Sequence, residues 1–293
     1  MSASRPLQFG LKTIMTITAG FALLFASGSW FGAPGYLVFF LLAGLAAIFA
    51  FSRDFDVFMA SLAAYSLFIL ATCCGVFPLL DSGSRVTARR SQCVNNLKQI
   101  GLALQNYADV YGCIPPAYLT DKDGKPMHSW RVLILPFMEY KPLYERYDLN
   151  EPWDGPNNSK LSKEMPAVFR CPSDTGNPGT QTDYVAIVGP ETIWQPNHGT
   201  TFKEIEDGSS QTIAVVEASG AGISWMEPRD LPFSALAKGI NPKQGIGISS
   251  HHPGAVIAVF GDGHTQTIQE SIPLKLLKAL FTKAGGETID GDF

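Results

Sequence analysis

The side chains with the most chemical capacity gather late in the chain. Ser249, Ser250, His251 and His252 precede an apolar run from Ala255 to Phe260, and Asp262, Gly263 and His264 follow it. An Asp-Gly pair between two short strand-like segments signals a hairpin, which would carry His252 toward Asp262 or His264. Imidazole and carboxylate are divalent-metal ligands, so Glu217, His252, Asp262 and His264 form a candidate metal set. The competing reading is structural: Asp262 and Gly263 make the turn while the ring nitrogens and carboxylates satisfy loop backbone. No HExxH helix, His-rich tract or paired-Cys spacing accompanies these residues.

Other acids offer less. Asp121, Lys122, Asp123 and Gly124 open like a calcium loop but lack the later acidic ligands, and read as an Asp-Gly turn. Asp154, Asp174 and Asp207 are loop carboxylates that could hold calcium. Trp153, Asp154 and Asn157 read as a rigid loop whose polar side chains bond nearby backbone. Glu217, Glu227 and Asp230 could pair for glycoside hydrolysis, but isolated acids at strand ends are commonplace. No Gly-x-Ser-x-Gly elbow, phosphate loop or dinucleotide fingerprint occurs, and Ser250 beside His251 is not a triad. The expectation is a non-enzyme with no required cofactor, calcium or another divalent ion being the alternative.

The elements that would carry these residues follow from periodicity. Val94, Leu97, Gly101, Leu104, Ala108 and Tyr111 recur at steps of three and four, predicting an amphipathic helix with Asn96, Gln99 and Asn106 opposite. Gly112 and Pro115-Pro116 stop it. A short helix should end near Asp148, and strands are expected at 184–188, 212–217, 223–226, 255–260 and 265–268. Pro273 should open a terminal helix running to Lys283. The fold class is α+β, a long helix packed on an antiparallel sheet.

Composition places this domain behind a membrane anchor. The chain has 293 residues, 16% charged, with a net charge of −4 and a mean hydropathy of +0.09. Uncharged runs at about 13–31, 35–51 and 57–80 each approach the roughly 20 residues that cross a bilayer core. Three transmembrane helices within 1–80 are expected, although Arg5 and Lys12 also allow the first run to be a signal peptide. The acidic balance argues against a nucleic-acid partner; the bilayer and proteins of the membrane or envelope are the expected partners. Arg5, Lys12 and Arg53 lie on one side of the spans and Arg85, Arg89, Arg90 and Lys98 on the other, a count slightly favouring the C-terminal part inside.

A family resemblance covers 85–286. The run from Arg89 to Tyr107, with Cys93, Asn95 and Asn96, looks like the signature helix of bacterial domain-of-unknown-function family 1559. Similar blocks follow at Ser129–Glu139, Glu151–Asn157, Phe169–Asp174 with Cys171, Thr182–Tyr184, and Asp207–Ile213 with Gly208. His252, nine intervening residues including Gly254, then Asp262-Gly263 resembles the C-terminal H-x9-DG motif, here within about 247–270. The prepilin leader typical of that family is absent, three spans taking its place and a short tail following at 287–293.

The resemblance implies a type II secretion pseudopilin-like head outside the bacterial cytoplasmic membrane, hence N-in and C-out, against the small charge bias. Cys93 and Cys171 lie in matched blocks and could pair there, tying helix to sheet, with Cys113 left over; buried free thiols are the alternative. The leading function is a non-enzymatic, multi-pass membrane-anchored protein for envelope or secretion-related assembly or surface recognition. A solute- or glycan-binding receptor with a pocket around Trp153, Trp194 and Trp225 is the second, and a metal-dependent hydrolase using His252, Asp262 and Glu217 the third.

Overall fold

The chain divides into two units, Met1–Asp81 and Ser82–Phe293. The computed structural model describes residues 85–287 and Ile289, all in the second unit. The three expected spans and most of the tail lie outside the described residues. Among the described residues no helix is long and apolar enough to cross a membrane.

The first described element is the helix α1, residues 85–111. Cys93, Leu97, Ile100, Leu104 and Ala108 form its buried stripe, and burying each Leu or Ile contributes roughly 1.5–3 kcal/mol. Gly112, at φ +76°, ends it, its N–H bonding the Ala108 carbonyl at 2.8 Å. The stripe is rotated from the expected face. Asn96 is buried rather than outward, its amide donating to the Arg170 carbonyl at 2.9 Å. Tyr111, expected inside, is 61% exposed because it lies at the helix end beyond the stripe, its ring tilted against Tyr107.

α1 packs on a four-stranded antiparallel sheet, ordered β10-β9-β7-β3. Its strands are β3 (Tyr184–Val185), β7 (Ile213–Glu217), β9 (Ala255–Phe260) and β10 (Thr265–Gln269). In β9 successive side chains alternate between two cores: Ile257 and Val259 join the cluster with α1, whereas Val256, Ala258 and Phe260 join the cluster on the other face. Leu277, Leu280 and Phe281, in and just beyond the helix α4 (Leu274–Ala279), cover that second face. A strand buried on both faces has no polar side to show, so Ala255–Phe260 reads as an unbroken apolar run.

A second four-stranded sheet is small and mixed. It is built from β4 (Ile187–Val188), β5 (Trp194–Gln195), β6 (His198–Gly199) and β8 (Leu231–Pro232), with β4 parallel to both β5 and β8. The expected strand 184–188 therefore splits at Ala186, whose N–H turns to the Asp230 carboxylate at 2.8 Å. A hairpin of β1 (Tyr118–Thr120) and β2 (Pro126–Ser129), closed by the Asp121–Gly124 turn, and the short helices α2 (Trp130–Leu133) and α3 (Lys141–Arg146) complete the fold.

Two expected elements differ. Residues 223–226 form no strand: Gly220 and Gly222 have positive φ, Ser224 makes one isolated bridge, and Trp225 drops inward to stack on Phe169. The terminal helix is shorter than 273–283, the chain turning at Leu280 to give its carbonyl to the Ile213 N–H at 2.7 Å.

A buried ion pair joins the layers. The Arg131 guanidinium lies against the Asp230 carboxylate and donates to the Tyr184 carbonyl through Nε and Nη2 at 3.2 and 3.0 Å. Four N–H groups, from Arg131, Trp130 and Ala186, converge on the two Asp230 oxygens. Burial pushes the Asp230 carboxyl above its usual range while Arg131 pulls the other way. Asp230 is thus a structural acid, and the glycosidase reading loses one of its carboxylates.

Candidate functional site

Four side chains from four separate segments converge at one end of the main sheet: Cys93, Cys171, Glu217 and His252. Each has a local reason to be there. Cys93 lies on the buried stripe of α1. Cys171 follows a 3-10 turn at Ala167–Phe169, with its N–H fixed by the Asp183 carboxylate at 2.7 Å. Glu217 ends β7 two residues after Val215, and so shares the face that looks toward α1. His252 sits in the loop before β9; the loop is held by Ser249, whose N–H donates to the Glu217 carbonyl at 3.2 Å, and by a Ser250 hydroxyl that accepts from the His252 N–H at 3.0 Å.

The cluster is buried and tight. Its ligand-capable atoms all lie within 4.8 Å of one another, and exposure of the four residues runs from 0 to 3%. The two sulfurs are 2.7 Å apart with both cysteines free, and His252 Nε2 lies 3.4 Å from Cys93 Sγ and 3.7 Å from Cys171 Sγ. Glu217 Oε2 accepts the Ile257 N–H at 2.9 Å, whereas Oε1 is buried without a hydrogen-bond partner. The Tyr184 hydroxyl stands beside Cys93 and takes a 3.4 Å contact from Asn96.

The electrostatics follow from burial and from the sulfur pair. The contact between the two sulfurs holds Cys171 below the usual thiol range and pushes Cys93 above it. Burial raises the Glu217 carboxyl, and burial with the charge of Arg90 lowers the His252 imidazole. Asp183, beside this cluster, is pushed up to about 7 by burial. It belongs to a second group with Asp174 and His251, in which His251 Nε2 and Asp174 Oδ1 are 3.6 Å apart.

The candidate metal set from the sequence is divided. Glu217 and His252 meet, but Asp262 and His264 lie at the far end of β9 and bond each other, His264 Nδ1 to Asp262 Oδ1 at 2.6 Å. A six-residue strand separates the ends by roughly 20 Å, so Asp262 stays in the turn at the far end and it is Gln269 that the hairpin returns beside Ala255. Gly254 and Gly263 supply positive φ at the two ends of this hairpin.

The Asp-Gly turn docks on α1. A Cβ on Gly101 would come 2.6 Å from Val259 Cγ2 and 3.1 Å from the Gly263 carbonyl. Gln105 donates to the Gly261 carbonyl.

The remaining candidates are structural or apart. Asp207 accepts the N–H groups of Gly285 and Gly286 at 2.7 and 2.8 Å, while Gly208 makes the adjoining turn at φ +94°. Asn157 donates to Glu151, Asp154 is exposed, and the Trp153 N–H bonds the Met127 carbonyl. Asn95 is exposed. Among the described residues Asp154, Asp174 and Asp207 do not gather within reach of one ion. Trp194 and Trp225 are buried, their ring N–H groups donating to Ala214 and Ser162 carbonyls, so neither offers a face to a sugar. Cys113 packs against Gly199 beyond the end of α1. From Cys93 the helix carries it roughly 27 Å away at about 1.5 Å per residue, too far to compete for Cys171.

Two residues beside the site were not foreseen as part of it: Tyr184 and Asp183. Thr182, Asp183 and Tyr184 recur as a block in the family resemblance, which was the available signal.

The family described as "Protein of unknown function (DUF1559)" matches residues 84–230. The chain belongs to this family. The match spans Cys93, Cys171 and Glu217 of this DUF1559 protein, while His252 and the H-x9-DG segment lie beyond it. No curated protein and no solved structure matches the chain.

Proposed function

We propose that the chain is a non-enzymatic, membrane-anchored protein that holds a pilin-like head outside the bacterial cytoplasmic membrane. There it serves an envelope or secretion-related assembly or presents a recognition surface, with the bilayer and other envelope proteins as its partners. The observation that carries this reading is the two-sided character of α1. One face is sealed against the antiparallel sheet through Cys93, Leu97, Ile100 and Leu104, while the outward side leaves Leu102 and Val110 more than 60% exposed. Exposed apolar side chains on the outward side of a helix give another protein a surface to pack against.

The test is topological. Lys122 sits in the exposed β1–β2 turn, so Lys122→Cys, in a Cys113→Ser background, reports the side on which the head lies. A membrane-impermeant maleimide should label it in intact spheroplasts. Labelling confined to inverted vesicles would place the head in the cytoplasm and sink the reading.

A further inference from the structure

We infer that Cys93, Cys171, Glu217 and His252 form a closed, four-ligand site for a thiophilic divalent metal ion, zinc being the best chemical fit.

The donor set supports this. Two sulfurs, one imidazole nitrogen and one carboxylate oxygen are the ligand types of tetrahedral zinc, and all four are contributed by protein, which marks a structural rather than a catalytic site. Ligand atoms around a tetrahedral zinc stand roughly 3.3–3.8 Å apart. The two sulfur-to-His252 distances, 3.4 and 3.7 Å, already fall there. The sulfur pair, at 2.7 Å, must open by about 1 Å, within reach of small side-chain rotations.

An independent observation is the orphan oxygen. Glu217 is 1% exposed, its carboxylate belongs to the cluster, and its Oε1 has no hydrogen-bond partner. A buried carboxylate is costly unless a positive charge or donors compensate it. A disulfide supplies no such compensation and the Cys93 thiol only a weak hydrogen bond, whereas a divalent cation supplies a full counter-charge. The surroundings resemble the outer layer of a metal site: the Ile257 N–H fixes the other Glu217 oxygen, and the Tyr184 hydroxyl stands beside the Cys93 sulfur. On binding, both thiols ionise and release their protons to solvent, the carboxylate is charged, and His252 ligates through neutral Nε2.

The ion would join α1, the Cys171 loop, the end of β7 and the loop before β9 at one point. The inference does not rest on the proposed function, although the side of the membrane decides how strongly oxidation competes with the metal. Its chemical competitor is a Cys93–Cys171 disulfide, which an oxidising compartment favours.

The test uses full-length, detergent-solubilised protein purified without added metal. Elemental analysis should find about one zinc per chain. Cobalt exchange should give thiolate-to-cobalt charge-transfer and tetrahedral d–d bands. Cys113→Ser should leave those bands unchanged. Glu217→Gln, checked for folding by circular dichroism, should keep the thiolate band, shift the d–d bands, and weaken cobalt binding by at least the roughly 10–100-fold that loss of a mere supporting contact costs. A Cys93–Cys171 disulfide in the non-reduced protein as isolated would overturn the inference. So would reduced, folded protein that gives no cobalt band, or bands that Glu217→Gln does not move.

Discussion

Gly101 of α1 and Gly263 of the β9–β10 turn touch backbone to backbone, so closely that a Cβ on Gly101 would lie 3.2 Å from the Gly263 α-carbon. The neighbouring Val259 methyl would be closer still, at 2.6 Å. Gly101→Ala should therefore destabilise the head despite the better helix propensity of alanine, by about 1–3 kcal/mol as for other overpacked cores. Denaturant unfolding checks it; a neutral or stabilising result would mean that helix and turn can separate without cost.

Asp230→Ala leaves the Arg131 guanidinium buried and unpaired, and strips an acceptor from Ala186 and Trp130. Breaking one side of a buried pair costs about 3–5 kcal/mol. The expected outcome is a large fall in Tm, with Asp230→Asn recovering part of it by accepting the Ala186 N–H. Equal losses for the two variants would show that charge, rather than backbone satisfaction, is what matters.

His128 makes the head sensitive to acid. It is 3% exposed, with Nδ1 2.9 Å from the Tyr147 hydroxyl and Nε2 3.0 Å from the Leu149 carbonyl. One nitrogen accepts and the other donates, which suits the neutral ring. Burial lowers its pKa below 6.5, against smaller opposing pulls from the Leu149 carbonyl and Asp148. A lowered folded pKa means that the unfolded chain binds the proton first. This contribution to stability is complete above pH 6.5 and is lost as pH falls through the folded value. Tm measured from about pH 7 down to 5 should fall, and less steeply in His128→Gln. Parallel curves would assign the acid sensitivity elsewhere.

Leu102→Lys tests the outward face of α1. Leu102 is 61% exposed, so the change should leave stability within about 0.5 kcal/mol. Site-specific photo-crosslinking from position 110, which is also exposed, should capture a partner in cells, and Leu102→Lys should lose it. An unchanged crosslink pattern would remove this face from any assembly.

What the sequence disclosed was local. The apolar run Ala255–Phe260 and its Asp-Gly turn matched the observed hairpin because strand length and turn chemistry lie within a dozen residues. Helix α1 was legible in extent, but its rotation was not. Asn96 is buried by a bond to Arg170, 74 positions away, and periodicity contains no such contact. The four-residue cluster was legible only as two separate pairs, Cys93 with Cys171 and Glu217 with His252, and that they meet was hidden for the same reason. Cys93 lies 78 positions before Cys171, and Cys171 81 before His252, distances with no motif spacing. Asp262 and His264 were placed wrongly beside His252 because a hairpin signal tells that the chain returns, not which end of the strand it returns to.

The spacing between His252 and Asp262 has a mechanical consequence. The loop before β9 meets α1 at Cys93, and the turn after it meets α1 at Gly101 and Gln105, so the strand is fastened to the helix at both ends. A pull along α1 loads the two fastenings together, in shear, instead of peeling one and then the next. Resistance to such a pull is set by the unfolding rate, and two fastenings that must fail at once make that rate slow. A helix that carries tension can thus draw on the head as a unit.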